Sequence, residues 1–440
     1  MPIQNFPTAL QPIIQQGFLE REFDQALRSK LGYRACADRV TVSVGIGETV
    51  TKTRAGLKPA VTTPLVPSTN TNLDNGLTPG NWGVEQYTLT MNHYAATTDL
   101  NMVTSRVGIA SLFLQNAYAN GEQAARSLDE LARNALFSAY LGGNTRVRTT
   151  LGSPGLTVTV DDVRGFQTTF VNGQQTAISP SAPLVVTIGA NAYTATGVGV
   201  DVTNVSTAPG GISGTLTLSA NVSVNDGTSG NAVLAANAST IVRPSNRTTT
   251  AQINASDTLS MASLLDAVAK LRLNAVPEIN GAYNCYLDPV SARQLFADPD
   301  FKQLFQGATS ANQVFRQGMT NDFLGLRFIT TTETFVQTHP TLSTLMVRRP
   351  VICGKGALVE GDFAGSAATD VDSADSIVTM VDGVAMVTRA AVDRLQQIIA
   401  QSWYWIGGFC APSDTTTNPT TVPTATNAAF KRAVIVEHIG

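Results

Sequence analysis

The stretch YNCYLDP at residues 283–289 is followed by SARQLFADPDFKQLF at 291–305 and by GMTNDFLGLRFITTT at 318–332. The first stretch is a short, mainly apolar run ending at Asp288, which is typical of a buried strand. Pro289 then predicts the start of a helix, because its fixed φ suits the first helical turn. The third stretch contains the start of a further strand segment, LGLRFITTTETFV at residues 324–336. We therefore predict an α/β body in this half of the chain.

Nearer the N-terminus, two strand-like stretches flank a long connection. Residues 38–51 (DRVTVSVGIGETVT) and 84–94 (VEQYTLTMNHY) alternate with the period of two that a half-buried strand shows. The residues between them, about 48–84, are rich in Pro, Thr, Asn and Gly. Because so long a loop is uncommon in a compact domain unless it binds something, we predict a projecting β-arm that contacts a neighbouring subunit.

Two helices are predicted around this arm. Residues 13–31 have the apolar spacing of a short amphipathic helix. Residues 104–141 form a much longer one, which at ~1.5 Å per residue would exceed about 50 Å and act as a spine. Gly121 is a candidate break or kink in this spine helix, and the glycine pair at 142–143 is expected to end it.

A further helix is predicted at residues 257–274 (DTLSMASLLDAVAKLRLN), where leucines and a valine recur at helical spacing. Ser256 or Asp257 is the expected N-cap, because short polar side chains accept hydrogen bonds from the first free backbone N–H groups. We expect this helix to be the first element of the α/β body along the chain.

The composition changes abruptly between the two helical regions. Residues 152–246 contain no Lys and no Cys, and few charged residues. Short alternating runs such as LTVTV, PLVVTIG and GTLTLS are separated by Gly, Pro and Asn. Several short strands with frequent turn signals predict an all-β sandwich or barrel, inserted into the rest of the fold.

Charge is scarce in the whole chain. Of 440 residues, 14% are charged and 43% are hydrophobic, against roughly 25% charged residues in typical soluble proteins. A surface with few charges suits a subunit that is covered by copies of itself. The net charge of −3 excludes a global basic field that would attract nucleic acid. The longest apolar runs are shorter than the ~18 residues that a membrane span needs, so we expect no membrane contact.

Residues that could carry chemistry are few and dispersed. The histidines His93, His339 and His438 are remote in sequence and lack zinc-site spacing. The glycines at 45–47 and 354–356 lack the frame of a phosphate-binding loop. The four cysteines are far apart and are expected to be reduced.

Three further groups of residues each allow two interpretations. Asp370, Asp372 and Asp375 could hold calcium, although a solvated loop is the favoured reading. Arg348 and Arg349 could touch phosphates, although ion pairs with a neighbouring subunit are favoured. The aromatic group Trp403, Tyr404, Trp405 and Phe409 could stack on a ligand, although an aromatic core or interface is favoured. We therefore expect no catalytic residue, metal or cofactor.

The order of these segments resembles the major capsid proteins of tailed bacteriophages, which have the Hong Kong 97-type fold. The residues that carry the resemblance are those at 283–289, 291–305 and 318–332. It implies an α+β fold with an all-β insertion. The parts it implies are an N-terminal arm (1–38), an extended-loop β-arm (39–95), a peripheral domain with the spine helix (96–150), an inserted all-β domain (151–247), an axial domain (248–361), and return strands with the C-terminus (362–440).

The resemblance also implies a function. The chain would be a structural, non-enzymatic subunit of an icosahedral phage head, assembled in the host cytoplasm, with its inserted domain on the outer surface. Its partners would be copies of itself in hexamers and pentamers, a separate scaffolding protein, a portal and, as a further candidate, a decoration protein. Packaged double-stranded DNA would lie against the inner face without sequence-specific binding.

Other readings remain open at this point. A cellular encapsulating nanocompartment could share the fold, the β insertion could be an adhesion or decoration module, and an enzyme could use the α/β scaffold. Some relatives of the resembled family crosslink their subunits through a lysine in the extended loop. Lys52 and Lys58 lie in that region, but no acid-in-a-pocket pattern accompanies them, so we do not expect crosslinking.

Overall fold

The computed structural model covers the chain in segments. It describes residues 32–42, 48–55, 61–66, 68, 77, 84–101, 112–208, 210–302, 322–339, 342, 344–363, 376–389, 397–414 and 428–440.

Three α-helices and three short 3-10 turns lie wholly in the described residues, and residues 299–302 are helical as well. The helices are α1 (Leu112–Tyr140), α2 (Met261–Leu273) and α3 (Pro289–Ala297), and the turns are Tyr33–Cys36, Pro244–Asn246 and Thr250–Gln252. The strands of the first half are β1 (Ala37–Val42), β2 (Thr49–Ala55), β3 (Val84–Thr90), β4 (Asn92–Asn101), β5 (Asn144–Arg146), β6 (Gly155–Val160), β7 (Thr168–Val171), β8 (Gln174–Ala177), β9 (Leu184–Ile188), β10 (Asn191–Val205), β11 (Ile212–Val222) and β12 (Ala232–Ala235). Those of the second half are β13 (Ile241–Val242), β14 (Tyr283–Leu287), β15 (Asp322–Phe323), β16 (Leu326–Thr330), β17 (Val336–Thr338), β18 (Met346–Arg348), β19 (Val351–Cys353), β20 (Leu358–Phe363), β21 (Ser376–Val381), β22 (Val384–Arg389), β23 (Ile398–Cys410), β24 (Ala433–Val436) and β25 (His438–Ile439).

The chain divides into two compact units. The first unit comprises residues 1–50, 88–135 and 358–410, and the second comprises residues 51–87, 136–357 and 411–440. Each unit is therefore built from segments that are distant in sequence.

The core of the first unit lies between a sheet and the N-terminal part of α1. The strand order is β1-β20-β23-β22-β21, and β4 also pairs with β23. Trp403 and Trp405 on β23 are buried against Leu128 of α1 and against Val384. Burying indole rings removes large apolar areas from water, which makes this the main stabilising contact of the unit.

The β-rich region that was predicted to be an insertion forms a sheet of its own within the second unit, called the inserted sheet below. Its strand order is β5-β12-β9-β10-β11-β6, and β7 and β8 form a separate hairpin. Alternate residues point into one apolar core, as the period of two predicts, with Val158, Val186 and Leu216 fully buried. The sheet begins with β5, which lies before residue 151, where the predicted insertion starts.

The α/β body is also part of the second unit. Its sheet has the order β13-β24-β19-β14-β16-β15, with β14 parallel to β16 and antiparallel to β19. Every residue of β14 is buried, which explains its continuous apolar run. Helix α2 packs on this sheet through Leu264, Val268 and Leu271. The strand and helix predicted at residues 283–297 are confirmed, since Asp288 caps α3 and Pro289 is its first residue.

The spine helix is confirmed over Leu112–Tyr140, and the first part of the prediction, residues 104–111, lies outside the described residues. The glycine pair after residue 141 does end it, and Gly143 has the positive φ of +78° that favours glycine. The prediction of a break at Gly121 is wrong, because α1 continues through it. Burial of Ala117, Ala124 and Leu128 around this position outweighs the ~1 kcal/mol that a helical glycine costs.

The predicted cap of α2 is also wrong. Ser260, not Ser256 or Asp257, is the N-cap, and its hydroxyl accepts a hydrogen bond from the Ser263 N–H at 3.4 Å. The Asp257 carboxylate is already occupied upstream, where it accepts hydrogen bonds from Arg247 Nε and the Asn254 N–H. Ser260, which directly precedes the first residue of α2, therefore acts as the cap.

We expect Ser260→Ala to lower the free energy of unfolding by about 1 kcal/mol, because the first turn of α2 loses its side-chain acceptor. Ser256→Ala is the matched control. Ser256 is exposed and its hydroxyl donates to the Asn254 amide oxygen at 2.6 Å, so its loss should cost less than about 0.5 kcal/mol. Urea unfolding of both variants measures the difference, and equal losses would show that Ser260 does not act as the cap.

Candidate assembly surfaces and buried charge networks

The region predicted as a β-arm begins with a two-stranded sheet of β2 and β3. Apolar side chains in the described part of their connection face solvent. Val61 is 92% exposed and Leu65 is 56% exposed. An isolated exposed valine is ordinary, but a run of apolar side chains on a charge-poor segment is a surface suited to contact with another molecule.

The root of this arm is held by a buried charge cluster, which we call the arm-root cluster: Arg54, Glu85, Asp414, Lys431 and Arg432. Arg54 on β2 donates to the Asp414 carboxylate at 3.0 Å, and Arg432 donates to both carboxylate oxygens at 3.2 Å. Asp414 is almost completely buried, so both guanidinium groups are needed to compensate its charge. These ion pairs fix β2 to the strands of its own unit.

Glu85 is the unusual member of the arm-root cluster. It lies on β3, is buried, and accepts one hydrogen bond, from the Ser413 hydroxyl at 3.0 Å. Its Oε1 has no partner within the described part of the chain. Burial raises the pKa of Glu85 to about 7, and the Asp414 charge adds to this although Lys431 and Arg54 oppose it.

This pKa predicts a loss of stability as the pH rises. The folded state holds the Glu85 proton more tightly than the unfolded state, whose pKa is near 4.5. The contribution is therefore complete below about pH 4.5 and disappears as the pH rises through about 7. We expect Glu85→Gln to differ from the wild type by less than about 1 kcal/mol at pH 5, where the loss has only begun, and to be more stable by roughly 1–3 kcal/mol at pH 8.

Urea unfolding at pH 5 and pH 8 measures this effect. Glu130→Gln is the control, because Glu130 pairs with Arg133 while half its side chain is exposed, so any change should be small at both pH values. A Glu85→Gln protein with the same pH slope as the wild type would contradict the assignment.

A second buried network holds the start of β1 within the first unit. Arg34 donates through Nε and Nη2 to Glu360, with a shortest distance of 2.6 Å, and through Nη1 to Asp382 at 3.2 Å. Glu360 is completely buried. Asp129 on α1 accepts hydrogen bonds from the Gly32 and Arg34 N–H groups at 2.9 and 3.1 Å. The beginning of the described chain is thereby tied to both the helix and the sheet of its unit.

The inserted sheet also has exposed apolar side chains at one end. Val202 and Val205 on β10 are 91% and 85% exposed, and Val200 is about half exposed. The pairing of β10 with β11 shifts register between Val200 and Val205, and Asp201 caps the bulge by accepting from the Thr203 and Asn204 side chains. These hydrogen bonds lower the pKa of Asp201.

The paired arginines at 348–349 do not have the neighbouring-subunit role that the sequence favoured. Arg348 forms an ion pair with Asp288, and Arg349 forms one with Glu437 at 2.9 Å. Both acids belong to the same chain and lie far from the arginines in sequence. The favoured reading is wrong because local sequence does not show which acid the fold brings to a strand.

The tryptophans of β23 lie in an aromatic core, which is the interpretation that the sequence favoured. Trp403 and Trp405 are buried, and Trp405 stacks on Tyr94 and on Phe409 at centroid distances of 5.9 and 5.4 Å. Trp403 donates to the Gln123 side chain at 3.1 Å. Trp403 and Trp405 therefore pack the core of the first unit, whereas Tyr404 is partly exposed and lies against His93.

The histidines occupy separate places. His93 is exposed on β4 and its ring lies edge-on to Tyr404 at 5.6 Å. His339 is buried, and its Nδ1 accepts from the Leu342 N–H at 3.0 Å. Lys52 lies on β2 and is partly buried. Several predicted features lie outside the described residues: the helix at 13–31, the glycines at 45–47, Lys58, and the aspartates Asp370, Asp372 and Asp375.

His438 belongs to a cluster that sequence reasoning missed. Its Nε2 lies 2.8 Å from the Ser291 hydroxyl, and that hydroxyl also donates to the Asp288 carboxylate. A nucleophilic serine needs its proton to pass to the histidine, but here the serine is bonded directly to the carboxylate. All three side chains are buried, so no substrate can reach the Ser291 oxygen. The cluster instead ties β25 to the start of α3.

Burial lowers the pKa of His438 to about 4, although Asp288 and the Ile439 carbonyl oppose this shift. His438 is therefore neutral at physiological pH and acts as a fixed hydrogen-bonding group. In the sequence, only the Asp288-Pro289 capping signal pointed to this region, because Ser291 and His438 are 147 residues apart.

The described residues contain no cluster of three or more potential metal ligands. Within the same residues, no helix has both the length and the apolarity to cross a membrane. None of the four cysteines, all of which lie in described residues, forms a disulfide, and burial raises the pKa of Cys285 above its ordinary range.

Comparison with known proteins gives similarity in structure only. The sequence matches no protein-family model and no curated protein. Among solved structures, the capsid of Ralstonia phage GP4 is similar with a TM-score of 0.52 and 12% identity, over 94% of this chain and 92% of that one. The capsid of cyanophage P-SCSP1u has a TM-score of 0.44 and 10% identity, over 91% and 86% of the two chains. The cyanophage Pam1 capsid has a TM-score of 0.44 and 10% identity, over 91% and 88%.

The first of these similarities extends over nearly the full length of both chains. The α+β class of the prediction is confirmed by the three helices and the several sheets of the described residues. The chain has the fold of phage capsid proteins of the Hong Kong 97 type, as the resemblance in its sequence predicted.

Proposed function

We propose that this chain is the structural subunit of an icosahedral phage head, in which copies of it assemble as hexamers and pentamers around the genome. The observation that carries the proposal is the full-length similarity of fold to the Ralstonia phage GP4 capsid. The similar structures reported above are phage capsids, which favours a viral shell over a cellular nanocompartment.

The β-arm is proposed to lie on a neighbouring subunit. Its exposed apolar side chains, Val61 and Leu65 among them, would be buried there at ~25 cal/mol per Å² of apolar area. The segment carries few charges, so little desolvation opposes this burial. The arm-root cluster would hold the strands at the base of the arm while the rest reaches the neighbour.

The remaining parts are assigned by the same proposal. Residues 96–150 with α1 would form the peripheral domain, residues 248–361 the axial domain around the symmetry axes, and residues 151–247 an inserted domain on the outer surface. The exposed valines of β10 make a decoration protein a candidate partner there. A separate scaffolding protein and a portal would complete assembly in the host cytoplasm.

Packaged DNA is proposed to be confined by the shell and not bound tightly. With 29 basic against 32 acidic residues, the subunit lacks the excess of Lys and Arg that counterion release requires for strong binding. The role is structural: the Ser291–His438–Asp288 cluster is inaccessible, so its geometry supports no hydrolytic activity.

Sedimentation and electron microscopy of the purified protein, expressed alone and with the scaffolding protein of its phage, test this function. The proposal predicts closed particles of several megadaltons that contain this chain as the main component. Only monomers or dimers under both conditions would contradict it.

A further inference from the structure

A cavity lies in the second unit, where the inserted sheet meets the α/β body. Its volume is about 50 Å³. One wall comes from β5 and the end of β6, with Arg146 and Asp161, and the other comes from Arg243, Arg349 and Glu437. At roughly 10–15 Å³ of such space per water molecule, the cavity has room for a few waters or one tetrahedral anion.

The charges around this cavity do not balance. Among its lining residues in the described part of the chain, three arginines face two carboxylates. Glu437 is saturated, because it accepts from Arg243 Nε at 2.7 Å, from Arg349 Nε at 2.9 Å and from the Thr250 hydroxyl at 2.9 Å. Burial opposes its ionisation, but the charges of Arg243 and Arg349 hold the pKa of Glu437 at about 2. It therefore stays ionised at any physiological pH.

One N–H group of Arg349 lacks a hydrogen-bond partner in the described residues. Its side chain is 3% exposed, its Nε is used by Glu437, and its Nη2 donates to the Gln337 amide oxygen. Its Nη1 is buried with no hydrogen-bond partner in the described residues. Unpaired buried donors are rare in native proteins, because such a group loses on folding the hydrogen bond that it forms with water in the unfolded chain.

The opposite wall supplies the remaining positive charge. Arg146 lies 3.6 Å from the Asp161 carboxylate and donates to the Thr207 hydroxyl at 3.1 Å. The Thr207 hydroxyl in turn donates to the Asp161 carboxylate. It also accepts from Gln337 Nε2 at 3.0 Å. Asp161 thus accepts a hydrogen bond from Thr207, and Arg146, whose guanidinium carries five N–H donors, lines the cavity.

We propose that this cavity binds a small inorganic oxyanion, of the phosphate or sulfate class, between Arg349 and Arg146. The anion would accept from the free Nη1 of Arg349 and balance the excess positive charge. Because Arg349 is in the α/β body and Arg146 on the inserted sheet, the bound anion would join these two parts. The proposal is independent of shell assembly.

Inorganic phosphate is the probe for the test, with chloride at matched ionic strength as the reference. Isothermal titration and thermal unfolding of the full chain should show saturable binding of one phosphate per chain, with a rise in unfolding temperature that sodium chloride does not reproduce. Sulfate should compete for the same site. Arg349→Lys, which keeps the charge but removes Nη1, should weaken phosphate binding at least tenfold.

Arg146→Gln provides a second variant in case Arg349→Lys does not fold, since the Arg146 side chain is 25% exposed and its replacement is tolerated more readily. It too should weaken binding at least tenfold. Arg348→Gln is the matched control, because Arg348 pairs with Asp288 away from the cavity and its loss should change phosphate affinity less than twofold. The proposal is overturned if no saturable binding occurs, which would mean that water alone fills the cavity. Equal binding by all variants would mean an adventitious ion only, and would also overturn it.

Discussion

Replacing Val61 and Leu65 with aspartate is expected to abolish shell formation without unfolding the subunit. Both side chains are exposed, at 92% and 56%, so the free energy of unfolding should change by less than about 0.5 kcal/mol. In a shell, each arm would instead bury two carboxylates without partners, at a cost of several kcal/mol per contact. Since each 1.4 kcal/mol is about tenfold in an association constant, the yield of particles should fall by more than a hundredfold.

Sedimentation of the variant and of two controls measures this effect. Val61→Ile with Leu65→Met keeps the segment apolar and should assemble like the wild type. Val202→Asp introduces the same charge at a site of β10 that is equally exposed but is proposed to lie on the outer surface. It should also assemble. Normal particles from the double aspartate variant would contradict the role of the arm.

Arg34→Met is expected to lower the free energy of unfolding by roughly 3–5 kcal/mol. The substitution leaves the Glu360 carboxylate completely buried without the guanidinium that accompanies it at 2.6 Å. Removing both charges in an Arg34→Met, Glu360→Leu double variant should restore most of the loss, because a buried pair and a well-packed apolar pair are often similar in stability.

Arg39→Met is the control for this prediction. Arg39 contacts the same acids, Glu360 at 3.6 Å and Asp382 at 2.6 Å, but its side chain is 48% exposed. Its loss should cost less than about 1 kcal/mol. If urea unfolding gives the same loss for Arg34→Met and Arg39→Met, the buried network does not anchor β1.

The parts of the fold that the sequence predicted are those with strong local signals. The buried run YNCYLD, the capping Asp288 and the following Pro289 lie next to one another, so β14 and α3 could be located within a residue or two. The inserted sheet was predicted because its strands alternate and are separated by turn residues. Its arrangement of β12 between β5 and β9 could not be predicted, since that order depends on long-range pairing.

The charge networks were missed for the same reason. Glu437 pairs with Arg243 and Arg349, which are 194 and 88 residues away, and local sequence contains no sign of either contact. Arg34 and Glu360 are separated by 326 residues. The helix ends were missed where tertiary contacts decided between equivalent local signals, as when Asp257 was engaged elsewhere and Ser260 capped α2.

An electron-microscopy reconstruction of the assembled particle tests the central claim most directly, because it places residues 61–66 relative to adjacent subunits. We predict that Val61 and Leu65 are buried on a sister molecule and that the inserted sheet faces outwards. A reconstruction in which this segment folds back onto its own subunit and meets no neighbour would contradict the account.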